Sequence, residues 1–311
     1  MFVDIAVYII SFIVIWFGAG LIVDGVGNLS HKLNISSFAT SFFVLGILTS
    51  IPEASVGINS IINHTPDIFV GDLIGASLVL FILAIPILAI FGNGIKLSHQ
   101  MTPHKLILSL FVVAAPVFLI LDKTISSTEG LFLIFLYLAL FYSVEKKKGI
   151  LENIKDRILD GKTHFLEDVM KLTGGALLVF VSSKILVDKT IYFSGVLGIA
   201  PFLISLLVLS IGTNLPELSL AIRSVILGKK EVALGDYVGS AAANTLIFGV
   251  LTLINGGEVV VSNHYLQTLI FMVLGLGFFY YFSRSKNDIS RKEGIVLLSL
   301  YFLFIFMEMG G

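Results

Sequence analysis

Residues 46–53 read Gly-Ile-Leu-Thr-Ser-Ile-Pro-Glu, and residues 210–217 read Ser-Ile-Gly-Thr-Asn-Leu-Pro-Glu. Both stretches set a carboxylate in otherwise apolar sequence, directly after a proline and four residues after a threonine. They are 164 residues apart, and the same offset superposes Ser55 on Ser219, Gly71 on Gly235, Asp72 on Asp236, and Gly75 on Gly239. A fixed offset across polar residues predicts an internal duplication.

The composition around these stretches is that of a membrane protein. Hydrophobic residues make up 56% of the 311 residues, charged residues only 13%, and the mean hydropathy is +0.99; a soluble domain has about 25% charged residues. Continuous apolar runs favour helices over barrel strands, because a spanning helix satisfies its own backbone hydrogen bonds. We predict an all-α membrane protein with ten transmembrane helices, at about 5–23, 34–62, 70–95, 104–121, 128–144, 168–187, 191–227, 231–255, 260–282 and 293–308.

The ten helices divide into two equal halves. Residues 1–148 form the first five-helix repeat, residues 149–165 a linker, and residues 166–311 the second five-helix repeat. Because five is odd, the second copy enters the membrane from the opposite side. The sequence therefore predicts two inverted five-helix repeats, an arrangement that many secondary transporters use to place a site near the bilayer midplane.

The distribution of basic residues predicts the orientation, because cytoplasmic loops are enriched in Lys and Arg. One side of the ten-helix arrangement receives Lys32, Lys96, Lys105, Lys146, Lys147, Lys148, Lys155, Arg157, Lys162, Lys229, Lys230, Arg284, Lys286, Arg291 and Lys292. The other side receives Lys123 and Lys189, with Lys184 near it. We expect a multi-pass protein of the cell membrane, with both termini outside the cytoplasm and the linker 145–165 inside.

Glu53 and Glu217 are the first candidates for function. An ionisable side chain inside a transmembrane helix costs at least about 2.5 kcal/mol on insertion scales, so its presence indicates a function. The alternative is that Glu53 and Glu217 pair with buried basic residues and only hold helices together, but no Lys or Arg lies at comparable depth in the predicted helices. Two carboxylates without basic partners require a cation or protons.

Residues that offer neutral oxygen atoms precede each glutamate in the sequence. Thr49 and Thr213 precede the glutamates by four residues and share a helix face with them. The intervening proline removes a backbone donor and kinks the helix, which is expected to free carbonyls at about Gly46 and Ser210. Such hard oxygen ligands suit calcium, magnesium or sodium and not soft transition metals.

The helices that follow open with two further polar segments, Gly71-Asp-Leu-Ile-Gly and Gly235-Asp-Tyr-Val-Gly. Their glycines permit close helix approach. In the second segment Ser240 and Asn244, four residues apart, offer oxygens on one helix face. Asp72 and Asp236 are either cation ligands or helix N-caps, a common role for Asp at the start of a helix.

The chain resembles the calcium/cation antiporter superfamily, which includes sodium/calcium exchangers, in the paired segments Thr49-Ser-Ile-Pro-Glu53 and Gly212-Thr-Asn-Leu-Pro-Glu217. The Gly-Asp-x-x-Gly segments and the ten-helix count agree, and the resemblance spans essentially the whole chain. It implies that the two repeats bring their glutamates together at the membrane centre, where calcium competes with sodium or protons. The implied metal ligands are Glu53, Glu217, Thr49, Thr213, Gly46, Ser210, Ser240 and Asn244.

The chain departs from this family in the first repeat. Ala76 and Leu80 stand where the family usually has Ser and Asn, so that half lacks two oxygen donors. Asn244 is neutral where some relatives have Asp, and Asn214 replaces the more usual Ser. The resemblance therefore implies an asymmetric site with two carboxylates, and leaves the coupling ion, sodium or protons, open.

We thus expect a secondary antiporter that exchanges a divalent cation, calcium before others, for sodium or protons, with no cofactor and no enzymatic activity. The alternatives are a magnesium or manganese exchanger and a transport-inactive scaffold. An intramembrane aspartyl protease is disfavoured, because its Gly-x-Gly-Asp motif would need glycine at Phe69 and Ala233. The expected partners are the lipid bilayer and inorganic cations, with no nucleic acid; the sequence is silent on protein partners.

Overall fold

The computed structural model describes residues 2–30, 42–43, 46–96, 102–145, 165–218, 222, 230–261, 265–285 and 288–310. These residues are almost entirely helical, which confirms the predicted all-α class. The predicted linker 149–165 lies outside the described residues apart from residue 165, and so do most of the basic residues that predict the orientation.

The first half begins with a long helix and continues through shorter, interrupted ones. Its helices are α1 (Phe2–Ser30), α2 (Gly46–Thr49), α3 (Ile51–Ile62), α4 (Asp67–Val79), α5 (Ile85–Phe91), α6 (Pro103–Leu119) and α7 (Ser127–Glu145). A π-helical turn, Leu80–Ala84, joins α4 to α5, so residues 67–91 form one continuous rod. A 3₁₀ turn, Ile120–Asp122, follows α6.

The second half repeats this order. Its helices are α8 (Phe165–Leu197), α9 (Pro201–Ile204), α10 (Ser210–Thr213), α11 (Lys230–Asn255), α12 (Tyr265–Ser285) and α13 (Arg291–Gly310). A π-helical turn, Ser205–Leu209, joins α9 to α10, and residues 215–218 are also helical. At the offset of 164 residues, α10 coincides with α2. In the same way α12 corresponds to α6, α13 corresponds to α7, and α11 corresponds to the rod formed by residues 67–91.

Four two-residue strands tie the halves together: β1 (Ile95–Lys96), β2 (Thr124–Ile125), β3 (Val259–Val260) and β4 (Asp288–Ile289). β1 pairs antiparallel with β4, placing Ile95 opposite Ile289, and β2 pairs antiparallel with β3, placing Ile125 opposite Val259. The 164-residue offset converts β1 into β3 and β2 into β4. Each pairing therefore becomes the other when the halves are exchanged, so the two pairings are equivalent contacts.

Local sequence explains where several helices begin. Prolines stand in the first turn of α3, α6 and α9, where a missing N–H costs nothing. α7 and α13 start with equivalent capping boxes: Glu129 Oε2 accepts from the backbone N–H of Ser126 at 2.8 Å, and Glu293 Oε2 accepts from that of Ser290 at 2.7 Å.

The predicted boundary between the sixth and seventh helices is wrong. The sequence predicts a break between 187 and 191, where Asp188 and Lys189 interrupt the apolar run, but α8 continues to Leu197. Lys189 pairs with Asp4 of α1 at 2.8 Å, so this charge is compensated without breaking the helix. The chain instead turns at Gly198, whose φ is +66°, a conformation that glycine adopts at little cost.

By length and composition, five described helical segments are able to cross a membrane: Phe2–Leu21, Asp67–Phe91, Pro103–Asp122, Leu234–Asn255 and Leu266–Ser285. Ser127–Ser143 and Pro201–Thr213 are shorter apolar helices. Asp67–Phe91 is the most buried of the five segments and Phe2–Leu21 the least, so the former lies at the centre and the latter at the periphery. Large apolar side chains such as Phe135 and Phe306 point outward, as they do on a lipid-facing surface.

The central helices approach one another at glycines. A methyl group on Gly75 of α4 would collide with the backbone carbonyl of Leu206 in the second half. The equivalent Gly239 of α11 would collide with the carbonyl of Phe42, which stands in the equivalent position of the first half. Small residues at these two points let the backbones of the halves touch directly.

We therefore predict that Gly75→Ala lowers the free energy of unfolding by about 1–3 kcal/mol, the usual cost of overpacking. Gly277→Ala in α12 is the matched control, because no atom lies within 4 Å of the added methyl group. It should be neutral or stabilising, since Ala favours the helix by up to about 1 kcal/mol. Thermal unfolding in detergent measures both, and equal stability of the two variants would contradict the close approach at Gly75.

Candidate functional site

The two motifs that are 164 residues apart, residues 46–53 and residues 210–217, share the same backbone geometry at one point. The helix is interrupted at Ser50 and at Asn214, and both residues have φ −82° and ψ 8°. The Ser50 hydroxyl donates to the Gly46 carbonyl at 2.9 Å, and the Asn214 side-chain amide donates to the Ser210 carbonyl at 2.6 Å. The carbonyls predicted to be freed by proline therefore have partners: the Ser210 carbonyl also accepts from the Asn214 backbone N–H at 3.4 Å and lies 3.3 Å from the Thr213 hydroxyl.

Glu53 and Glu217 follow these interruptions directly and are both buried, at 1% and 0% exposure. Oε2 of Glu53 and both carboxylate oxygens of Glu217 are buried without a hydrogen-bond partner. An unpaired buried carboxylate is among the most costly groups that a protein interior contains. The structure therefore places the two glutamates where a bound cation would stabilise them.

Two hydrogen bonds cross between the halves beside the glutamates. Thr49 of the first half donates to Oδ1 of Asp236 in the second, at 3.2 Å. Thr213 of the second half donates to Oδ1 of Asp72 in the first, also at 3.2 Å. These are the same bond under exchange of the halves. The structure thus brings the predicted threonines into contact with aspartates that sequence reasoning left unassigned.

Asp72 and Asp236 are not helix caps. α4 begins at Asp67 with Pro66 at its N-cap, so Asp72 lies inside the helix, more than a turn from its start. Asp236 likewise follows the start of α11 at Lys230 by more than a turn. Both side chains are fully buried, and Oδ2 of each has no hydrogen-bond partner. The capping alternative is therefore excluded: α4 begins three residues before the predicted start at 70, and Asp236 lies six residues into α11.

The polar residues of α11 divide between two environments. Ser240 lies with its hydroxyl 2.8 Å from that of Thr49 and so belongs to the site. Asn244, one turn further, is buried with Oδ1 unpartnered and lines a narrow space together with Ser77 and Thr245.

In the first half the equivalent residues, Ala76 and Leu80, are buried and offer no side-chain oxygen. Leu80 also begins the π-helical turn, whereas Asn244 lies in regular α-helix. The asymmetry between the halves is therefore one of backbone as well as of side chains.

The electrostatic balance of the site is negative. The site contains four buried carboxyl groups, those of Glu53, Asp72, Glu217 and Asp236. Among the described residues no Lys, Arg or His is buried. In the same part of the chain no three acidic or histidine side chains are close enough together to hold a metal by themselves. Any cation bound here needs hydroxyl, amide or carbonyl oxygens in addition to carboxylates.

Three positioning contacts escaped sequence reasoning. Ser50 and Asn214 hold the helix interruptions, and the Tyr237 hydroxyl donates to the Glu217 backbone carbonyl at 3.3 Å. The shared offset of Ser50 and Asn214 is a signal that was present in the sequence. Tyr237 had none, because its counterpart in the first half is Leu73.

Comparison with known proteins gives the same picture for both halves. The sequence model of a family described as sodium/calcium exchanger protein matches residues 3–144 and, a second time, residues 169–310. The putative antiporter CaxA of Alkalimonas amylolytica is 24% identical over 299 residues, which is 93% of both chains. The sodium/calcium exchanger MaX1 of Methanosarcina acetivorans is 23% identical over 333 residues, again 93% of both chains.

Among solved structures, the sodium-calcium exchanger NCX_Mj soaked with sodium and strontium is similar at a TM-score of 0.69. The two chains are 22% identical, and the similarity covers 98% of each. At this identity the likeness shows a common fold. The two-fold match of the family model and the common fold extend over the helices that carry both glutamates.

We predict that Glu217→Gln raises the free energy of unfolding by about 1–3 kcal/mol in buffer free of calcium and sodium, because it removes a buried charge without partners. The control is Glu293→Gln, whose carboxylate caps α13; it should lower stability by no more than about 0.3–1 kcal/mol, because Gln still accepts in the capping box and only the negative charge at the helix N-terminus is lost. Thermal unfolding in a chelating buffer measures both. Destabilisation by Glu217→Gln would show that this carboxylate has a stabilising partner.

Proposed function

Because the chain belongs to the sodium/calcium exchanger protein family, we propose that it is a secondary antiporter that exchanges a divalent cation, calcium before others, for sodium or protons. It is an integral membrane protein of a family of cation exchangers. The proposal concerns which ions this chain carries and which of its residues bind them.

The observation that carries the proposal is the pair of buried glutamates, Glu53 and Glu217, one from each half, with oxygens that lack partners. Together they balance the charge of one divalent ion. The polar groups beside them are hydroxyls, amides and backbone carbonyls, all hard oxygen ligands. A rigid basic partner is not available to either glutamate among the buried residues that the structure describes.

We assign eight residues to the cation site. Carboxylates come from Glu53 and Glu217, and neutral oxygens from Thr49, Thr213, Gly46, Ser210, Ser240 and Asn244. Calcium takes six to eight oxygens at about 2.3–2.6 Å in flexible geometry, which suits such a mixed set drawn from two halves. Magnesium demands a near-ideal octahedron and retains water; exchange of magnesium or manganese is therefore the second candidate.

The two-fold relation between the halves supports transport by alternating access. We propose ten transmembrane helices in two inverted five-helix repeats, residues 1–148 and 166–311, joined by the linker 149–165. The exchanged strand pairings and the crossed Thr–Asp bonds support this arrangement, because each contact has an equivalent in the other half. A site between such repeats is exposed in turn to either face when they move against each other.

The basic residues support an orientation with both termini outside the cytoplasm and the linker inside, in the cell membrane. The asymmetry of the site bears on its capacity for the coupling ion. Ala76 and Leu80 supply no oxygen where Ser240 and Asn244 supply two. A site with fewer neutral oxygens holds fewer sodium ions, so we expect either a low sodium stoichiometry or proton coupling.

The test is calcium uptake into proteoliposomes driven by a sodium or pH gradient. Glu53→Gln and Glu217→Gln should each weaken calcium binding by at least about 2 kcal/mol, or thirty-fold, because one charge then faces a divalent ion alone. Uptake should fall to background while the protein inserts and purifies normally.

Glu258→Gln, a change at an exposed glutamate, is the matched control and should transport like the unmodified chain. Full uptake by either buried-glutamate variant would refute the proposed site. Absence of flux in the unmodified protein under both gradients would favour the scaffold alternative.

A further inference from the structure

Asp72 and Asp236 lie outside the ligand set proposed above, yet they are fully buried beside it. Each accepts a hydrogen bond from a threonine of the opposite half, Thr213 and Thr49 respectively. Thr213 also lies close enough to Glu53 to interact with its carboxylate. Each bond therefore connects one half's aspartate with the other half's candidate cation ligand.

The direction of these bonds has a chemical consequence. A hydroxyl has one proton to donate and two lone pairs with which to bind a cation. A carboxylate is a stronger acceptor than a neutral carbonyl, so it draws the hydroxyl proton to itself. With the proton directed at the aspartate, the lone pairs of the threonine oxygen are directed elsewhere and remain available to a cation.

A competing acceptor lies nearby. The Thr213 hydroxyl is 3.3 Å from the Ser210 backbone carbonyl of its own helix, against 3.2 Å from Asp72. Without Asp72 the proton would turn to that carbonyl. The Thr213 hydroxyl would then donate within its own helix. The Ser210 carbonyl, itself an assigned ligand, would accept this hydrogen bond in addition to those it already has.

We propose that Asp72 and Asp236 are positioning residues that orient the Thr213 and Thr49 hydroxyls as cation ligands across the interface between the halves. This inference rests on the proposed function. It does not require either aspartate to touch the cation.

The Thr49–Asp236 and Thr213–Asp72 pairs differ in how many side chains hold the threonine hydroxyl. Ser240 lies 2.8 Å from the Thr49 hydroxyl and helps to hold it, whereas Ala76 occupies the equivalent place in the first half. Thr213 therefore depends more on Asp72 than Thr49 depends on Asp236. Loss of Asp72 should weaken calcium binding more than loss of Asp236.

The test is a double-mutant cycle on calcium affinity, measured by titration calorimetry with the full-length protein in sodium-free detergent. Thr213→Val should weaken calcium binding about ten-fold in the unmodified chain but less than about two-fold in the Asp72→Leu variant. The charge lost with Asp72 weakens binding in both backgrounds and cancels from the comparison. Asp72→Asn, which keeps an acceptor oxygen, should preserve the ten-fold effect of Thr213→Val.

If Asp72→Leu does not fold, Asp72→Ala gives the same comparison, and thermal unfolding identifies that case. Equal effects of Thr213→Val with and without Asp72 would overturn the inference and indicate that Asp72 binds the cation directly or only packs; the proposed function would stand. Absence of calcium binding by the unmodified chain would overturn the proposed function and this inference together.

Discussion

The burial of carboxylates without basic partners is the constraint on which the rest of the structure depends. Glu53 and Glu217 are buried in an apolar protein, and Oε2 of Glu53 and both carboxylate oxygens of Glu217 lack the hydrogen bonds that normally compensate burial. Stability alone does not explain such an arrangement, because neutral side chains of similar shape would cost less. The Ser50 and Asn214 side chains hold the helix interruptions that precede the two glutamates, and the crossed Thr–Asp bonds join the halves in the same region. Under the proposed function, a bound cation would offset the energetic cost of this burial.

Equivalent contacts between the two halves bring the two copies of one short motif together. β1 pairs with β4 and β2 with β3, so the halves are joined at both strand pairs by equivalent contacts. Gly75 and Gly239 bring the central helices to backbone contact with the opposite half at equivalent points. The threonine of each half therefore reaches the aspartate of the other. These contacts between the halves make neighbours of residues that are distant in sequence.

Much of this was accessible from sequence, and the limits have physical causes. The helical class, the 164-residue repeat and the burial of Glu53 and Glu217 followed from composition and offset. The end of α8 did not, because Asp188 and Lys189 look like a loop until Asp4 is found beside Lys189. The sequence also left open whether Asp72 caps a helix or is buried inside it, because both have the same sequence signature and only the position of the helix start, at Asp67, separates them. The π-helical turn that begins at Leu80 was not predicted, and the repeat gave no indication of it because the equivalent residue, Asn244, lies in regular α-helix.

The central claim is that one divalent cation binds between the two glutamates. Anomalous diffraction from crystals of the full chain soaked in calcium tests it most directly, because calcium scatters anomalously at long wavelength and the peak locates the ion without prior assumptions. The account predicts one peak with carboxylate oxygens of both Glu53 and Glu217 at about 2.3–2.6 Å, completed by hydroxyl and carbonyl oxygens from both halves. A peak that contacts only one glutamate, or no peak at saturating calcium, would contradict it.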